Sequence, residues 1–391
     1  MTQARVDLGV AAAVCAAVGV YDVLHVYFTV FGGPDIGPRM VVLFPDFLVF
    51  HAAVRAWLEG KLALIYDVDA FSSFQGDGLH FRPFLYPPNW LLLLLPLGAF
   101  AVGRAYLVFM AVTAAIATAL EGRRDWSGWL AVLFSPAAAW VVLGGQNTFL
   151  SLGLFYGGLH LLERSPLAAG ILLGLLAYKP QIWVLVPLAL VAARQWKALA
   201  ATLGTVAVLS LASLGLFGMA FWQAFFAAAR EAGSAVAAER MYDLMHIQMT
   251  TLLAAARMAG LSPGMAGLLQ LAGAALAIAS VWFAFRRFGP GAPRTAVLAA
   301  ATFLVSPYTL NYDLLLLMPA VVALYRLGAT QGFFPAERIL HLLLWLLPTL
   351  GWMLNQLGLP IVPLLILLFG ATAWKRGGGH AKTASNSGGI P

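Results

Sequence analysis

Long apolar runs separated by short polar breaks occupy almost the whole chain. Runs such as residues 8–31, 198–218 and 265–285 are continuously apolar, without the alternation that the strands of a membrane β-barrel show. Since a helix needs about 20 apolar residues to cross a bilayer, the pattern predicts an all-α fold, a polytopic transmembrane helical bundle of roughly 9–12 membrane helices. Shorter runs, such as residues 167–178, predict broken or partial helices within that bundle.

The longest polar interval is the loop of residues 32–83, which follows the first apolar run. From Asp46 to Gly60 this loop has helical periodicity, with His51 and Arg55 one turn apart on a polar face. Apolar residues on the opposite face predict an interfacial helix that lies on the bilayer. The positive-inside rule, applied to the basic ends of the other runs, places this loop on the extracytoplasmic side.

The sequence predicts one integral-membrane domain, residues 1–374. The run at 8–31 lacks the Ala-x-Ala pattern of a cleavable signal, so we expect it to remain as the first span. Residues 221–246 are amphipathic and charged, which predicts a second surface segment. The last residues, 375–391, are rich in Gly, Ser and Lys and predict a disordered tail.

Composition also indicates a membrane protein, and it argues against nucleic acid as a partner and against a site built from cysteines. Hydrophobic residues make up 61% of the 391 residues and charged residues 10%, with a mean hydropathy of +0.86, whereas soluble domains carry roughly 25% charged residues. The net charge is +7, but Arg and Lys are scattered at the ends of apolar runs, which argues against a nucleic-acid partner. Cys15 is the one cysteine in the sequence, so neither a disulfide framework nor a thiolate metal site is expected.

Asp46 is the first candidate for chemistry. It follows Pro45 and opens the helical segment beside the first span, where a carboxylate can accept a proton from a substrate hydroxyl. An aspartate at such a position is also a common N-cap, and the two roles are compatible.

Four polar breaks interrupt the apolar runs, and polar groups inside a membrane are costly unless they line a cavity. Each break has a structural alternative. In these alternatives, the first break is a tight turn with an Asn cap, and the lysine of the second break extends to the membrane interface. The polar residues of the third break would be interfacial anchors, and the aspartate of the fourth would form a structural ion pair. The breaks carry, in chain order, Gln146 and Asn147; Lys179 and Gln181; Gln248, Thr250 and Arg257; and Tyr308, Asn311, Tyr312 and Asp313.

An ordered set of motifs carries a resemblance to a known family. The set comprises Asp46-Phe47 with Arg55 and Gly60, Tyr66-Asp67, Tyr86-Pro87-Pro88, Gly145-Gln146-Asn147, Lys179-Pro180-Gln181 and Ser306-Pro307. Over residues 5–375 it resembles glycosyltransferase family 87, polytopic enzymes with the GT-C fold that include polyprenyl-phosphate-mannose-dependent mannosyltransferases. The resemblance implies that Asp46 is the catalytic carboxylate and that Lys179-Pro180 is the Lys-Pro motif of the family. Mannosyltransferase relatives often carry histidines after the late Ser-Pro, where this chain departs with Asn311, Tyr312 and Asp313.

Residues and resemblance together predict a membrane enzyme that moves a hexosyl group, mannosyl in these relatives, from a polyprenyl-phosphate donor to an extracytoplasmic glycan, lipid or glycolipid acceptor. Such transfer needs a base for the acceptor hydroxyl and cations for the departing lipid phosphate. No nucleotide loop, metal or other cofactor is expected. Asp46 is the predicted base; the predicted phosphate-binding cations are Lys179, Arg55, Arg82, Arg240 and Arg257; and the predicted substrate-binding residues are His51, Tyr86, Gln146, Asn147, Gln181, Gln248, Tyr308, Asn311, Tyr312 and Asp313.

The predicted location is a bacterial inner membrane, with the site facing the extracytoplasmic side and the bilayer itself as a partner. Stereochemical inversion is implied by the resemblance alone. A membrane transporter or lipid-linked-sugar flippase is the alternative, because transporters also combine broken helices with charges inside the membrane. The sequence shows no visible repeat, and its polar weight lies in two loops on one side, which favours the enzyme.

Overall fold

The computed structural model describes residues 45–76, 83–122, 125–232, 242–243 and 245–386 of the chain. Within these ranges the protein is helical and has no β-strand, which confirms the predicted all-α class. The predicted first span, residues 8–31, lies outside the described residues.

The α-helices are numbered here in chain order. They are α1 (Pro45–Leu58), α2 (Val68–Gln75), α3 (Pro88–Leu94), α4 (Val102–Ala117), α5 (Trp126–Leu133), α6 (Pro136–Gly144), α7 (Thr148–Leu161), α8 (Pro166–Leu175), α9 (Pro180–Trp183), α10 (Val186–Ala192), α11 (Trp196–Phe217), α12 (Met219–Ala232), α13 (Leu252–Met258), α14 (Pro263–Arg287), α15 (Ala292–Val305), α16 (Met318–Gln331), α17 (Glu337–Gln356) and α18 (Val362–Asn386). Short 3₁₀ segments lie at Leu62–Leu64, Leu95–Ala99, Leu176–Tyr178, His246–Gln248 and Asn311–Leu317, and a π-helical segment at Thr118–Gly122.

Several helices are long and apolar enough to cross a bilayer, which confirms a polytopic membrane bundle. Among the described residues these are Val102–Gly122, Trp196–Phe217, Pro263–Arg287, Asn311–Gln331 and Glu337–Gln356. The pair α5 and α6, bent by 55° at its break, makes a sixth if it is one span. Other apolar helices are shorter, as the sequence predicts, and several begin with a proline, which fits the first turn of a helix but not its interior. The described residues therefore give fewer full crossings than the roughly 9–12 estimated from apolar runs.

Helices α8 and α11 pack closely through small residues. A Cβ added to Gly170 would fall on the carbonyl oxygen of Ala198, and one added to Gly174 would lie 2.7 Å from the carbonyl oxygen of Thr202. Small residues allow such close approach in membrane bundles. The opposite side of α11 exposes apolar side chains such as Val208, 66% exposed, as a lipid-facing surface does.

Helix α1 is more buried than its sequence predicts. Its apolar residues pack inside the protein, with Phe50 1% exposed, but His51 is also only 9% exposed. Nε2 of His51 lies 3.1 Å from the carbonyl oxygen of Phe100. The predicted polar face through His51 and Arg55 is therefore wrong at His51, because the segment around Phe100 covers that side of the helix. Arg55 remains exposed.

Helix α18 continues to Asn386, through part of the segment that the sequence predicts to be disordered from Lys375 onward. Arg376, within that segment, is 5% exposed. Its Nε and Nη2 bond the two carboxylate oxygens of Glu337 at 2.6 and 2.5 Å, a bidentate pair that ties α18 to the start of α17. Residues 387–391 lie outside the described ranges.

Candidate active site

A buried turn, the Gly-Gly-Gln-Asn turn of Gly144-Gly145-Gln146-Asn147, joins α6 to α7. Gly145 ends α6 in a left-handed conformation with φ of +70°, which glycine adopts readily because it has no Cβ. Gln146 and Asn147 follow and are almost fully buried, at 3% and 0% exposure. The structure therefore places the predicted break inside the protein, with both amides in its interior.

Lys179 and Asp313 form an ion pair beside this turn. Nζ of Lys179 lies 2.5 Å from Oδ1 of Asp313 and 3.2 Å from Oδ1 of Asn147. The two charged side chains are 1% and 2% exposed. Lys179 therefore does not reach the membrane interface, and the charge of Asp313 is balanced by a buried partner, as the ion-pair alternative predicts.

The local backbone conformation determines the positions of Lys179 and Asp313. The chain makes a 3₁₀ turn at Leu176–Tyr178 and starts α9 at Pro180, so Lys179 occupies the joint between two short helices. Asp313 lies in the first turn of the 3₁₀ helix that follows the late Ser-Pro break, where its Oδ2 accepts a hydrogen bond from the backbone N–H of Leu310 at 3.1 Å. Both carboxylate oxygens of Asp313 thus have a donor.

Asp46 lies in the first turn of α1, one residue inside the helix rather than at its N-cap. Its Oδ2 is 3.4 Å from the position that a Cβ on Gly144 would take, so the carboxylate lies beside the Gly-Gly-Gln-Asn turn. Burial raises the pKa of the Tyr308 phenol, and the charges of Asp46 and Asp313 raise it further. Burial likewise raises the pKa of Tyr86, with added contributions from Asp313 and then Asp46. The two carboxylates therefore lie near the same two tyrosines.

Tyr86 connects the first loop to the buried turn. Its hydroxyl donates to Oε1 of Gln146 at 3.4 Å, and its carbonyl oxygen accepts a hydrogen bond from the hydroxyl of Tyr66 at 2.7 Å. Its ring packs edge-on against Phe50 of α1 at a centroid distance of 5.3 Å. These contacts hold the Tyr-Pro-Pro motif against the helix that carries Asp46.

An aromatic stack lies beside the ion pair, and it includes residues that were not among those predicted for the site. Trp90 stacks on Tyr178, the residue before Lys179, with ring centroids 4.2 Å apart. The hydroxyl of Tyr178 lies 2.8 Å from Oγ of Ser151. Trp90 closely follows the Tyr-Pro-Pro motif, and this proximity was its one signal in the sequence; Ser151, inside an apolar run, had none.

A β-bridge ties the end of the second surface segment to the late Ser-Pro break. Met249 pairs antiparallel with Leu310. Next to this bridge, the N–H of Thr250 donates to the carbonyl oxygen of Thr309 at 3.0 Å, and the two threonine hydroxyls lie 2.7 Å apart. Since Asp313 follows closely in the chain, the bridge anchors the segment that carries the ion pair.

The other predicted substrate-binding residues near the ion pair differ in their surroundings. Nζ of Lys179 lies 5.5 Å from the centroid of the Tyr312 ring, within cation–π range. Tyr308 is half-buried, and Asn311 is 2% exposed. Gln248 is half-buried and lines a cleft together with Asn311.

The structure gives the remaining predicted residues other surroundings. The Arg55 side chain is 52% exposed and pairs with Glu59 at 3.0 Å on the outside of α1. The guanidinium of Arg257 lies 5.2 Å from the centroid of the Tyr242 ring. Gln181 is half-buried in α9. His51 contacts the segment around Phe100 as described above, while Arg82 and Arg240 lie outside the described residues.

The described part of the chain contains no group of three or more His, Cys, Asp or Glu side chains placed to hold a metal ion. Asp67, one of the loop aspartates, instead caps α2 by accepting a hydrogen bond from the N–H of Ala70 at 3.0 Å. The candidate site as described consists of the Asp46 carboxylate, the Lys179–Asp313 ion pair and a set of amides and phenols.

Residues 84–307, more than half of the chain, match the model of glycosyltransferase family 87. The matched segment contains the Gly-Gly-Gln-Asn turn and Lys179 and ends at Pro307 of the late Ser-Pro break. Asp313 lies six residues beyond its end, and Asp46 lies 38 residues before its start. No curated protein and no solved structure matches the chain.

Proposed function

Because the chain belongs to glycosyltransferase family 87 and is a membrane glycosyltransferase, we propose that it transfers a hexosyl group from a polyprenyl-phosphate donor to an acceptor hydroxyl, with Asp46 as the general base. The acceptor is a glycan, lipid or glycolipid on the extracytoplasmic face of a bacterial inner membrane. A mannosyl group is the first sugar to test, because it is the one that the resembling enzymes transfer. Family membership sets the transporter alternative aside.

The observation that carries the proposal is the contrast between two carboxylates near the same tyrosines. Asp313 has a donor on each oxygen, the ammonium of Lys179 and the N–H of Leu310. A carboxylate whose two oxygens are engaged in this way is less accessible to a substrate hydroxyl. Asp46 is half-buried and lies beside the polar turn, and we assign it as the base.

In the proposed step, the acceptor oxygen attacks the anomeric carbon of the sugar while Asp46 takes the hydroxyl proton. The bond between the anomeric carbon and the phosphate oxygen breaks, and polyprenyl phosphate leaves with the electron pair. Attack on the face opposite the leaving group inverts the configuration. Positioned general-base catalysis contributes typically on the order of 10²–10⁴-fold.

The departing phosphate needs positive charge. Lys179 is the described cation beside the turn, but its charge is already matched by Asp313 at 2.5 Å. We therefore assign the phosphate first to Arg82 and Arg240. Arg82 closely precedes Tyr86, and Arg240 lies in the second surface segment, so both belong to the loops that flank the site in the sequence. Amides and phenols at the turn, Gln146 and Tyr86 among them, are assigned to sugar hydroxyls.

The test is transfer of radiolabelled sugar from polyprenyl-phosphate mannose and polyprenyl-phosphate glucose in membranes that contain the protein. Asp46→Asn nearly preserves shape and removes the base, so transfer should fall by about 10²-fold or more. Asp69→Asn is the matched control, because this loop aspartate is exposed and should leave transfer unchanged. Normal transfer by folded Asp46→Asn protein would refute the assignment of the base. A wild type that uses none of these donors would refute the proposed donor class.

A further inference from the structure

At one end of the bundle, side-chain contacts join the starts of three helices. Glu163 lies just before α8, Gln195 just before α11, and Arg294 in the first turn of α15. Nε2 of Gln195 donates to Oε1 of Glu163 at 3.3 Å, and Nη2 of Arg294 lies 3.8 Å from the same oxygen. The starts of α8, α11 and α15 therefore lie together.

Helices α14, α17 and α18 meet at the same end. Phe288, which follows α14 and precedes Arg294, packs edge-on against Trp374 of α18 with ring centroids 5.0 Å apart. Arg376 of α18 pairs with Glu337 at the start of α17. We call the five segments that these contacts join the basic end; they are residues 163–165, 194–197, 286–294, 332–338 and 374–377.

The basic end carries more cations than carboxylates. Its two carboxylates, Glu163 and Glu337, are each paired with an arginine, Arg294 at 3.8 Å and Arg376 at 2.5 Å. Other cations of the basic end are exposed, and no ion pair among the described residues includes them; they include Arg194, Lys197, Arg286, Arg287, Arg338 and Lys375. The described residues therefore leave this surface with unbalanced positive charge.

Strongly exposed apolar side chains lie between these cations. Trp196 is 59% exposed, and Ile339, next to Arg338, is 62% exposed. The guanidinium of Arg287 lies 5.2 Å from the ring centroid of Phe283, which is 44% exposed. Tryptophan and basic side chains are found together where the hydrocarbon of a membrane meets its headgroups. A soluble anion would leave the apolar side chains in water, whereas a phospholipid covers both kinds of side chain.

We propose that the basic end binds anionic phospholipids, with its arginines and lysines on the headgroup phosphates and its exposed apolar side chains against the acyl chains. Guanidinium and ammonium groups form strong, charge-assisted hydrogen bonds with phosphate oxygens. Each Lys or Arg close to an anionic membrane surface strengthens binding by about fivefold.

These lipids are separate from the proposed sugar donor. Helix α7 begins at the Gly-Gly-Gln-Asn turn, beside Lys179, and ends at Leu161, close to Glu163. Its 14 residues span about 21 Å at 1.5 Å per residue. A headgroup at the basic end is therefore far from Asp46 and Lys179, and the inference goes beyond the proposed function. With the site on the extracytoplasmic face, the basic end meets the cytoplasmic leaflet, whose anionic lipids attract basic segments.

The test compares the binding of two lipids with identical acyl chains, anionic phosphatidylglycerol and zwitterionic phosphatidylcholine. Native mass spectrometry of the protein in a nonionic detergent gives Kd for each lipid. Wild type should bind phosphatidylglycerol at least tenfold more tightly. The double variants Arg286→Gln/Arg287→Gln and Arg338→Gln/Lys375→Gln should each weaken its binding about fivefold or more and leave that of phosphatidylcholine unchanged.

A matched control removes the same charge on the side of the bundle where the turn lies. Arg104 and Arg230 are both exposed. Arg104 lies in the first turn of α4, where the hydroxyl of Tyr106 donates to the carbonyl oxygen of Val142 near the turn. Arg230 lies in α12, which follows the far end of the 22-residue α11. Arg104→Gln/Arg230→Gln should leave both Kd values unchanged.

A second measurement follows thermal unfolding, because a ligand of the folded state raises Tm. Phosphatidylglycerol should raise Tm of the wild type, of Asp46→Asn and of the control more than Tm of the two basic-end variants. Equal Kd values for the two lipids in the wild type, or equal losses in the control, would overturn the proposal. Inorganic phosphate or polyglutamate that raises Tm as much as phosphatidylglycerol, with loss in the same variants, would assign the surface to a soluble anion and also overturn it. Sugar transfer is not needed for any of these readouts, so failure of the proposed function would leave them interpretable.

Discussion

The Lys179–Asp313 pair can be tested by removing its charges one at a time and then together. Lys179→Met keeps a long unbranched side chain without charge, and Asp313→Asn keeps the shape of the carboxylate. The double variant has no charge at either position. Comparison of the four proteins isolates the energy of the pair from the other contacts of each residue.

The structure gives the expected changes in the free energy of unfolding. At the observed 2.5 Å and an effective dielectric constant of about 20, the attraction is about 7 kcal/mol. This attraction offsets a desolvation cost of several kcal/mol for each buried ion. Each single variant leaves one buried charge unpaired and should lower the free energy of unfolding by about 3–5 kcal/mol. The double variant should lie within about 2 kcal/mol of wild type, because the remaining loss is the hydrogen bond to Asn147.

Thermal unfolding of the detergent-purified proteins measures stability, and donor KM in membranes measures function. Both single variants should unfold at lower temperature than wild type, and the double variant should recover most of the loss. A double variant as unstable as the two single losses combined would refute the coupling of the pair. A stable double variant with a donor KM raised about tenfold or more would show that Lys179 binds the donor phosphate after all. An unchanged donor KM would show that the pair is structural and does not bind the donor.

The remaining predictions concern helix packing and a surface arginine. Gly170→Ala should destabilise the protein by about 1–3 kcal/mol, because the new Cβ would fall on the carbonyl oxygen of Ala198. Gly204→Ala on the partner helix has open space and should be neutral or stabilise by up to about 1 kcal/mol; similar Tm losses in the two variants would contradict this account of the packing. Arg55→Ala should leave sugar transfer near wild type and change stability by no more than about 0.5 kcal/mol, because its pair is exposed. A loss of transfer as large as that of Asp46→Asn would place Arg55 in the site after all.

The sequence alone determined the fold class and the positions of the breaks. Continuous apolar runs can satisfy their backbone hydrogen bonds in a membrane only as helices, so the all-α bundle follows from the pattern. Proline and glycine mark where those helices stop, and the breaks at Gly145 and Pro180 lie where they were predicted. The number of membrane crossings could not be predicted from the sequence. Some apolar runs form short or broken helices, and the length of a run does not show which ones do.

The partners of the polar residues were decided by the tertiary structure. Lys179 and Asp313 are separated by 134 positions, and nothing local to either residue shows that they neutralise each other. The same holds for His51, which periodicity assigned to a polar face and which a distant segment buries. It holds also for Arg376, whose partner Glu337 lies 39 positions earlier in the chain. Periodicity depends on neighbours within one helix, whereas burial and charge pairing depend on which other helix packs against it. For that reason the sequence could name the polar residues of the site, and only the folded chain could show that the partner of Asp313 is Lys179.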